Sequence, residues 1–207
     1  MESVKLSVSK DRWEWRGGRD KVFSVGSVKN FLRSNVDYSN NYVFKWSKWV
    51  PKKVSILVWR AQMGRIATLD ALIKRNCFNG ENRCVMCGDG SETADHLFCS
   101  CEVASEVWYR ISRWVHIGPI YAFSLNDLLE VHEFSGLGPK AKDILKGIIM
   151  ISWWCIWRAR NERRFSDKHK SADSIVQDIK SLSYLWYSNR SNCRDVSWEN
   201  WVSFLVM

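Results

Sequence analysis

The chain has no apolar run long enough to cross a bilayer, no secretory leader, no internal repeat and no low-complexity tract. Its longest apolar stretch, from Gly147 to Trp157, is about half of the roughly 20 residues a membrane span needs, so it reads as a buried helix. The opening residues carry no apolar segment, which excludes secretion and leads to an intracellular expectation. In a reducing compartment spaced cysteines serve as metal ligands more often than as disulfides, and the chain holds 7 Cys. Catalytic signatures are missing as well. There is no Gly-x-Ser-x-Gly elbow and no glycine-rich phosphate loop, and His116, His132 and His169 stand alone and read as surface residues. No enzyme, no membrane partner and no small-molecule substrate are expected.

What is present is aromatic and basic. The sequence holds 13 Trp against 3 Pro, and large rings bury enough area to support a core in 207 residues. The net charge of +9 is uneven: residues 1–100 carry 17 Lys and Arg against 10 Asp and Glu, while residues 101–150 carry 5 against 6. A basic field of this kind draws polyanions, nucleic acid above all, although a solvated surface explains it equally well.

Periodicity predicts a mainly α-helical chain. Alternation around Trp13, Trp15 and Val22–Val25 suggests short strands or an extended arm, followed by a helix from about Ser27 carrying Val28, Phe31 and Leu32. From Lys53, the residues Val54, Leu57, Val58 and Ala61 recur at helical spacing, and Trp59, Trp108 and Trp114 are read as core. Thr68 suits an N-cap before Leu69, Leu72 and Ile73. Val103 to Val115 forms a strongly amphipathic helix, Pro139 suits the first turn of another, and a last helix holds Ile175, Ile179, Leu182 and Trp186. The cations Arg158, Arg160, Arg163 and Arg164 are explained as complements to a helix C-terminus.

One constellation carries chemistry. Cys84-Val-Met-Cys87-Gly88 places two thiolates on a turn, and His96 and Cys101 complete Cys-x2-Cys-x8-His-x4-Cys. Three soft sulfurs and an imidazole suit tetrahedral Zn²⁺, and four protein ligands leave no open position for a catalytic water. One structural zinc is therefore expected. Cys99 competes for the fourth place; on a helix entry it points away from Cys101, so only one of the two can ligate.

With these pieces in hand the chain resembles the zinc-binding region downstream of the polymerase in plant non-LTR (LINE-type) retrotransposon reverse transcriptases. The matching segments are Phe23–Val25, Lys48–Leu72, Cys84–Gly88, Asp95–Cys101 with Val107-Trp108, and the Trp- and Arg-containing tail Ile156–Phe165. The resemblance implies Cys84, Cys87, His96 and Cys101 as the ligands, Cys101 over Cys99. Ile66-Ala67 departs from the family's Leu-Pro, and residues 166–207 match nothing assignable. A polymerase would need clustered palm aspartates for two metal ions, and the chain has neither these nor a ribonuclease H carboxylate set. It is expected to be a detached piece without polymerase activity, with RNA or target DNA and the polymerase portion of its parent element as partners. A protein-interaction scaffold and a functionless relic are the alternatives. Candidate nucleic-acid contacts are Lys52, Lys53, Arg60, Arg65, Lys74, Arg75 and Arg83.

The expected fold is a small helical domain organised around one zinc site, with an extended N-terminal arm and C-terminal helices. Its divisions are 1–43 for the arm with short strands and a helix, 44–116 for the zinc-binding domain, 117–165 for a Trp-rich helical extension and 166–207 for a helical tail.

Overall fold

A computed structural model describes residues 14–16, 21–34, 44–191 and 196–205. It divides into two compact units, Met1–Phe44 and Lys45–Met207. In the first, helix α1 (Val25–Ser34) starts where Ser24 and Ser27 exchange hydrogen bonds: each serine's backbone N–H donates to the other's hydroxyl. The rings of Phe23 and Phe31 meet Trp15 edge-on at 5.5 and 6.0 Å. The short strands expected of this arm do not form among the described residues, because the apolar side chains here pair with one another around Trp15 instead of alternating along a ladder. Trp13 and Gly17-Gly18 lie outside the described residues.

Among the described residues the second unit takes its regular structure as helices, with one isolated antiparallel bridge between Arg83 and Ser91. In chain order it contains α2 (Lys52–Gln62), α3 (Leu69–Lys74), a π-helical turn (His96–Ser100), α4 (Glu102–Trp114), α5 (Leu125–Phe134), α6 (Pro139–Ser166), α7 (Ala172–Arg190) and α8 (Trp198–Val202). Helix α6, 28 residues and about 42 Å long, is the axis of the unit. It is buried almost all round between Ile144 and Ile156 because α2, α5 and α7 pack against it. A helix apolar on every side must sit inside, and this one does. No helix among the described residues is long and apolar enough to cross a membrane.

Three tryptophans stitch the outer helices together. Trp108 on α4 donates its indole N–H to the Phe98 carbonyl at 2.7 Å, Trp114 donates to the Trp201 carbonyl, and Trp201 to the Lys180 carbonyl, both at 3.1 Å. The Phe98 ring stacks on Trp153 of α6 at 4.7 Å. The π-helical turn is thereby clamped between α4 and the central helix. From Lys45 onward, the segments drawn as 44–116, 117–165 and 166–207 belong to one unit, whose helices α2, α5 and α7 all pack on α6.

Sequence assignments change at α2, His132 and Arg160. On α2 the buried face is Val54, Ser55, Val58 and Ala61, with Leu57 half-buried and Trp59 exposed. His132 is buried on α5, where desolvation lowers its pKa, instead of lying on the surface. Arg160 does not serve the end of α6; it is turned inward, as described below.

Gly147 shows how tightly the axis is packed. A Cβ there would lie 1.9 Å from Trp49 Cζ2, so the Trp49 indole occupies the space over the glycine and reaches Tyr187 edge-on at 5.2 Å. Alanine is ordinarily preferred to glycine inside a helix by about 1 kcal/mol, but overpacking against a ring costs about 1–3 kcal/mol. Gly147→Ala is expected to lower the urea midpoint, and Trp49→Leu in the same chain to recover part of the loss. A midpoint raised by Gly147→Ala would show that the indole moves freely.

Candidate metal centre

Between α3 and α4 the chain makes a tight loop and then the π-helical turn. Cys84 and Gly90 pair through the Cys84 N–H and the Gly90 carbonyl at 3.0 Å, and Glu92 N–H donates to the Asn82 carbonyl at 2.8 Å. Within this loop Gly88 takes φ +77 and Gly90 φ +63, values that side chains resist. Gly90 is doubly constrained, since a Cβ would sit 3.1 Å from the His96 ring.

The π-helical turn explains how His96 and Cys101 reach one point. Cys101 N–H donates to the His96 carbonyl at 2.7 Å, a five-residue closure. In an α-helix residues five apart diverge by about 140°; the wider turn brings them nearly onto one side. Cys99, inside that turn, points elsewhere and is buried. Burial, with Asp95 and Asp127 nearby, pushes its thiol up to about 12, which is the opposite of a ligand's requirement.

The ligand atoms of Cys84, Cys87, His96 and Cys101 all lie within 4.8 Å of one another. Cys84 and Cys101 sulfurs are 4.0 Å apart, and Cys87 Sγ is 3.3 Å from His96 Nε2. Ligand distances of about 2.0–2.3 Å to zinc imply tetrahedral edges of about 3.5–3.8 Å, close to these separations. The hydrogen bond shared with Cys101 is the largest cause of a Cys84 thiol pKa lowered to about 5; Cys101, which keeps the proton, is pushed far up. The pair thus has one thiolate ready and surrenders one more proton to a metal. Cys87 Sγ accepts the Asp89 N–H at 3.4 Å, and His96 Nδ1 faces Ser100 Oγ at 3.4 Å, which leaves Nε2 toward the sulfurs. The donor set and its spacing fit one zinc ion.

Glu92 is the residue that sequence reasoning missed. Its side chain is 0 % exposed and meets Arg160, 2 % exposed, through Oε1 at 2.5 Å from Nη2 and 3.1 Å from Nε. The same oxygen accepts the Leu69 N–H at 3.0 Å, so this carboxylate caps α3, while the Thr68 hydroxyl donates to Asp70 at 2.6 Å. One buried carboxylate therefore joins the metal loop, α3 and the central helix. Charge alone could not single it out, for Glu92 is one of several loop acids.

The basic candidates divide. Arg60 donates to the Arg65 carbonyl at 3.1 Å and Arg75 to the Gly64 carbonyl at 3.2 Å, which gathers Arg60, Arg65 and Arg75 at the α2–α3 turn. Lys74 is close by but paired with Asp70 at 3.2 Å. Lys53 lies over the rings of Trp154 and Trp186 at the other end of α2, and Lys52 is exposed beside it. Arg83 stands at the metal loop, 3.8 Å from Glu81. Trp59, 42 % exposed, joins Ile56 and Met63 in an apolar stripe on the outer face of α2, between Lys52 and the arginine turn.

No curated protein and no solved structure matches the chain. A family model described as zinc-binding in reverse transcriptase matches residues 23–108, and over that span, which holds all four clustered ligands, the chain is similar to that family.

Proposed function

We propose that the chain is a structural zinc-binding module descended from the reverse transcriptase of a plant LINE-type retrotransposon, and that it associates with RNA or target DNA without polymerase activity of its own. The observation that carries the reading is the complete Cys84, Cys87, His96, Cys101 set inside the span similar to the reverse-transcriptase zinc-binding family. Bound there, one zinc supplies a cross-link between the loop and the start of α4, since four protein ligands fill its coordination sphere. Ser100 and the Asp89 N–H orient His96 and Cys87, and Glu92 ties the loop to Arg160.

The nucleic-acid part of the reading rests on α2. Trp59 beside Arg60, with Arg65 and Arg75 at the turn, combines a face for stacking with cations for phosphates. The test uses zinc-loaded protein and fluorescein-labelled single-stranded RNA, read by anisotropy across a salt series. Affinity is expected to fall with salt at a log–log slope of about −0.7 for each phosphate neutralised. Arg60→Glu/Arg65→Glu flattens that slope, and Trp59→Ala lowers affinity about 5- to 160-fold, the range for one lost stacking contact of about 1–3 kcal/mol. Binding that ignores salt, or that survives all three substitutions, would refute the assignment of this face.

A further inference from the structure

A second surface shares no residue with the α2 face and has the opposite character. The segment between α4 and α5 separates two hollows, of about 390 and 570 Å³, both lined by Pro119, Ile120 and Tyr121. Asp127 and Glu130 line one, Glu102 and Glu106 the other, and neither lining includes a Lys or Arg. The two hollows share the wall of residues 119–121 and are taken together as one groove. Glu106 is paired with Arg110, and Asp127 accepts backbone N–H groups. In a chain of net charge +9, the carboxylates left to face a ligand are Glu130 on one side and Glu102 on the other, with no Lys or Arg in either lining. Of the arginines nearby, Arg110 pairs with Glu106 and Asp173, while Arg113 stands over the Tyr109 ring at the edge of one hollow.

The groove is also aromatic. Tyr121, Phe123 and Phe134 are 79 %, 92 % and 83 % exposed, although each would remove apolar area from water if covered. Phe123 is not a fraying side chain. Its own N–H and that of Ser124 both donate to Asp127 Oδ2, at 3.0 and 2.9 Å, while Ser124 Oγ accepts the Asp127 N–H. The next N–H, of Leu125, donates to Asp95 beside the metal turn at 3.2 Å. Four hydrogen bonds thus fix the backbone on which this ring stands out. A pre-organised aromatic anchor rimmed by charge of one sign is the pattern of a recognition surface, where little ordering entropy remains to be lost on binding.

We propose that this groove docks a basic segment of a partner protein, one that alternates Lys or Arg with apolar side chains. Glu102 and Glu130 meet the cations, and Phe123 and Tyr121 take the apolar side chains. The sign of the groove excludes the polyanion ascribed to α2, so the chain carries two faces for two chemically opposite partners.

The probe is a short fluorescein-labelled peptide of alternating Arg and Leu, with Glu–Leu and Arg–Ser peptides as controls, titrated against the zinc-loaded full chain. The Arg–Leu peptide is expected to bind and both controls to bind at least about tenfold more weakly, since charge and apolar contact each contribute. Glu102→Lys/Glu130→Lys and, separately, Phe123→Ser should each lower affinity about tenfold or more, with unchanged far-UV circular dichroism. All three positions are exposed, and neither glutamate takes part in the Ser124–Asp127 cap. Because Glu102 opens α4, the circular dichroism control and a Glu130→Lys single variant separate lost docking from lost helix. Equal binding of the Arg–Leu and Arg–Ser peptides would reduce the groove to a non-specific acidic surface and overturn the proposal. So would concentration-dependent self-association abolished by the same substitutions, which would assign the groove to a second copy of the chain. RNA binding by the zinc-loaded chain should be unaffected by Phe123→Ser, which keeps a failure here distinct from a failure of the α2 reading.

Discussion

Substituting Cys84 and Cys87 together by serine is expected to abolish zinc binding and to unfold the stretch from Asn82 to Cys101. Elemental analysis should find one zinc per wild-type chain and none in the variant. The expected effect is large because, outside the anchors at Glu92 and Phe98, few ties hold the ligand-bearing backbone of this stretch itself. Apart from the π-helical turn its backbone runs as loop, and its internal ties are a handful of hydrogen bonds around two left-handed glycines. Structural zinc contributes about 10–16 kcal/mol of apparent binding energy in zinc-finger peptides, comparable with the whole stability of an ordinary domain of about 5–15 kcal/mol. The damage should nevertheless be graded. Hydrogen exchange at Gly88, Leu97 and Cys101 should lose protection, whereas the interior of α6, held by α2, α5 and α7, should keep most of it. A chelator added to the wild type should reproduce the pattern, and re-addition of zinc should reverse it. A folded, reduced wild-type protein that contains no zinc and shows full protection at Cys101 would remove the metal from the account.

The second large effect is expected at Arg160. Arg160→Ala strands Glu92 in the interior with only backbone N–H partners, at Leu69 and at the longer reach of Val85. Breaking one side of a buried ion pair costs about 3–5 kcal/mol, much more than a surface pair is worth. Replacing both members by apolar residues of similar size, Glu92→Leu/Arg160→Met, should be milder than either single truncation, because no charge is then left stranded. Its remaining cost is the lost cap on α3. Urea midpoints of the wild type, Glu92→Leu, Arg160→Met and the double variant give the coupling directly. Strictly additive losses would show that the carboxylate and guanidinium act independently, contrary to their contact.

Legibility of these features in the sequence follows their range. The four clustered ligands lie within one short stretch, and their chemistry is specific to residue type. Spacing therefore points to Cys84, Cys87 and His96, while the choice of Cys101 over Cys99 rests on the family resemblance. The clustered set contains Cys101 and not Cys99, and the π-helical closure between His96 and Cys101 that brings it there has no sequence signal of its own. The helices were readable wherever one face was apolar, as along Val103–Val115. They were misread in detail at α2, where Ser55 is small enough to tuck beneath the neighbouring helices and Trp59 faces outward. Arg160 was assigned to the helix end because sequence shows it near other cations and near a C-terminus. Its partner lies 68 residues away, and nothing local announces a pairing of that span. The capping of α3 failed for the same cause, since Thr68 stood in the expected place while the cap came from Glu92.

That same separation has a consequence for how the protein is made. At about 5–20 residues per second, a ribosome that has just added Glu92 needs roughly 3–14 s to reach Arg160. All four clustered ligands, by contrast, are synthesised within 17 residues of one another. The metal loop is complete in the nascent chain long before its guanidinium counterpart exists, and throughout that interval the Glu92 carboxylate must stay hydrated. The emergence of α6 is therefore the step that closes the loop's inner side, and translation order makes the ligand cluster available before Glu92 can be buried.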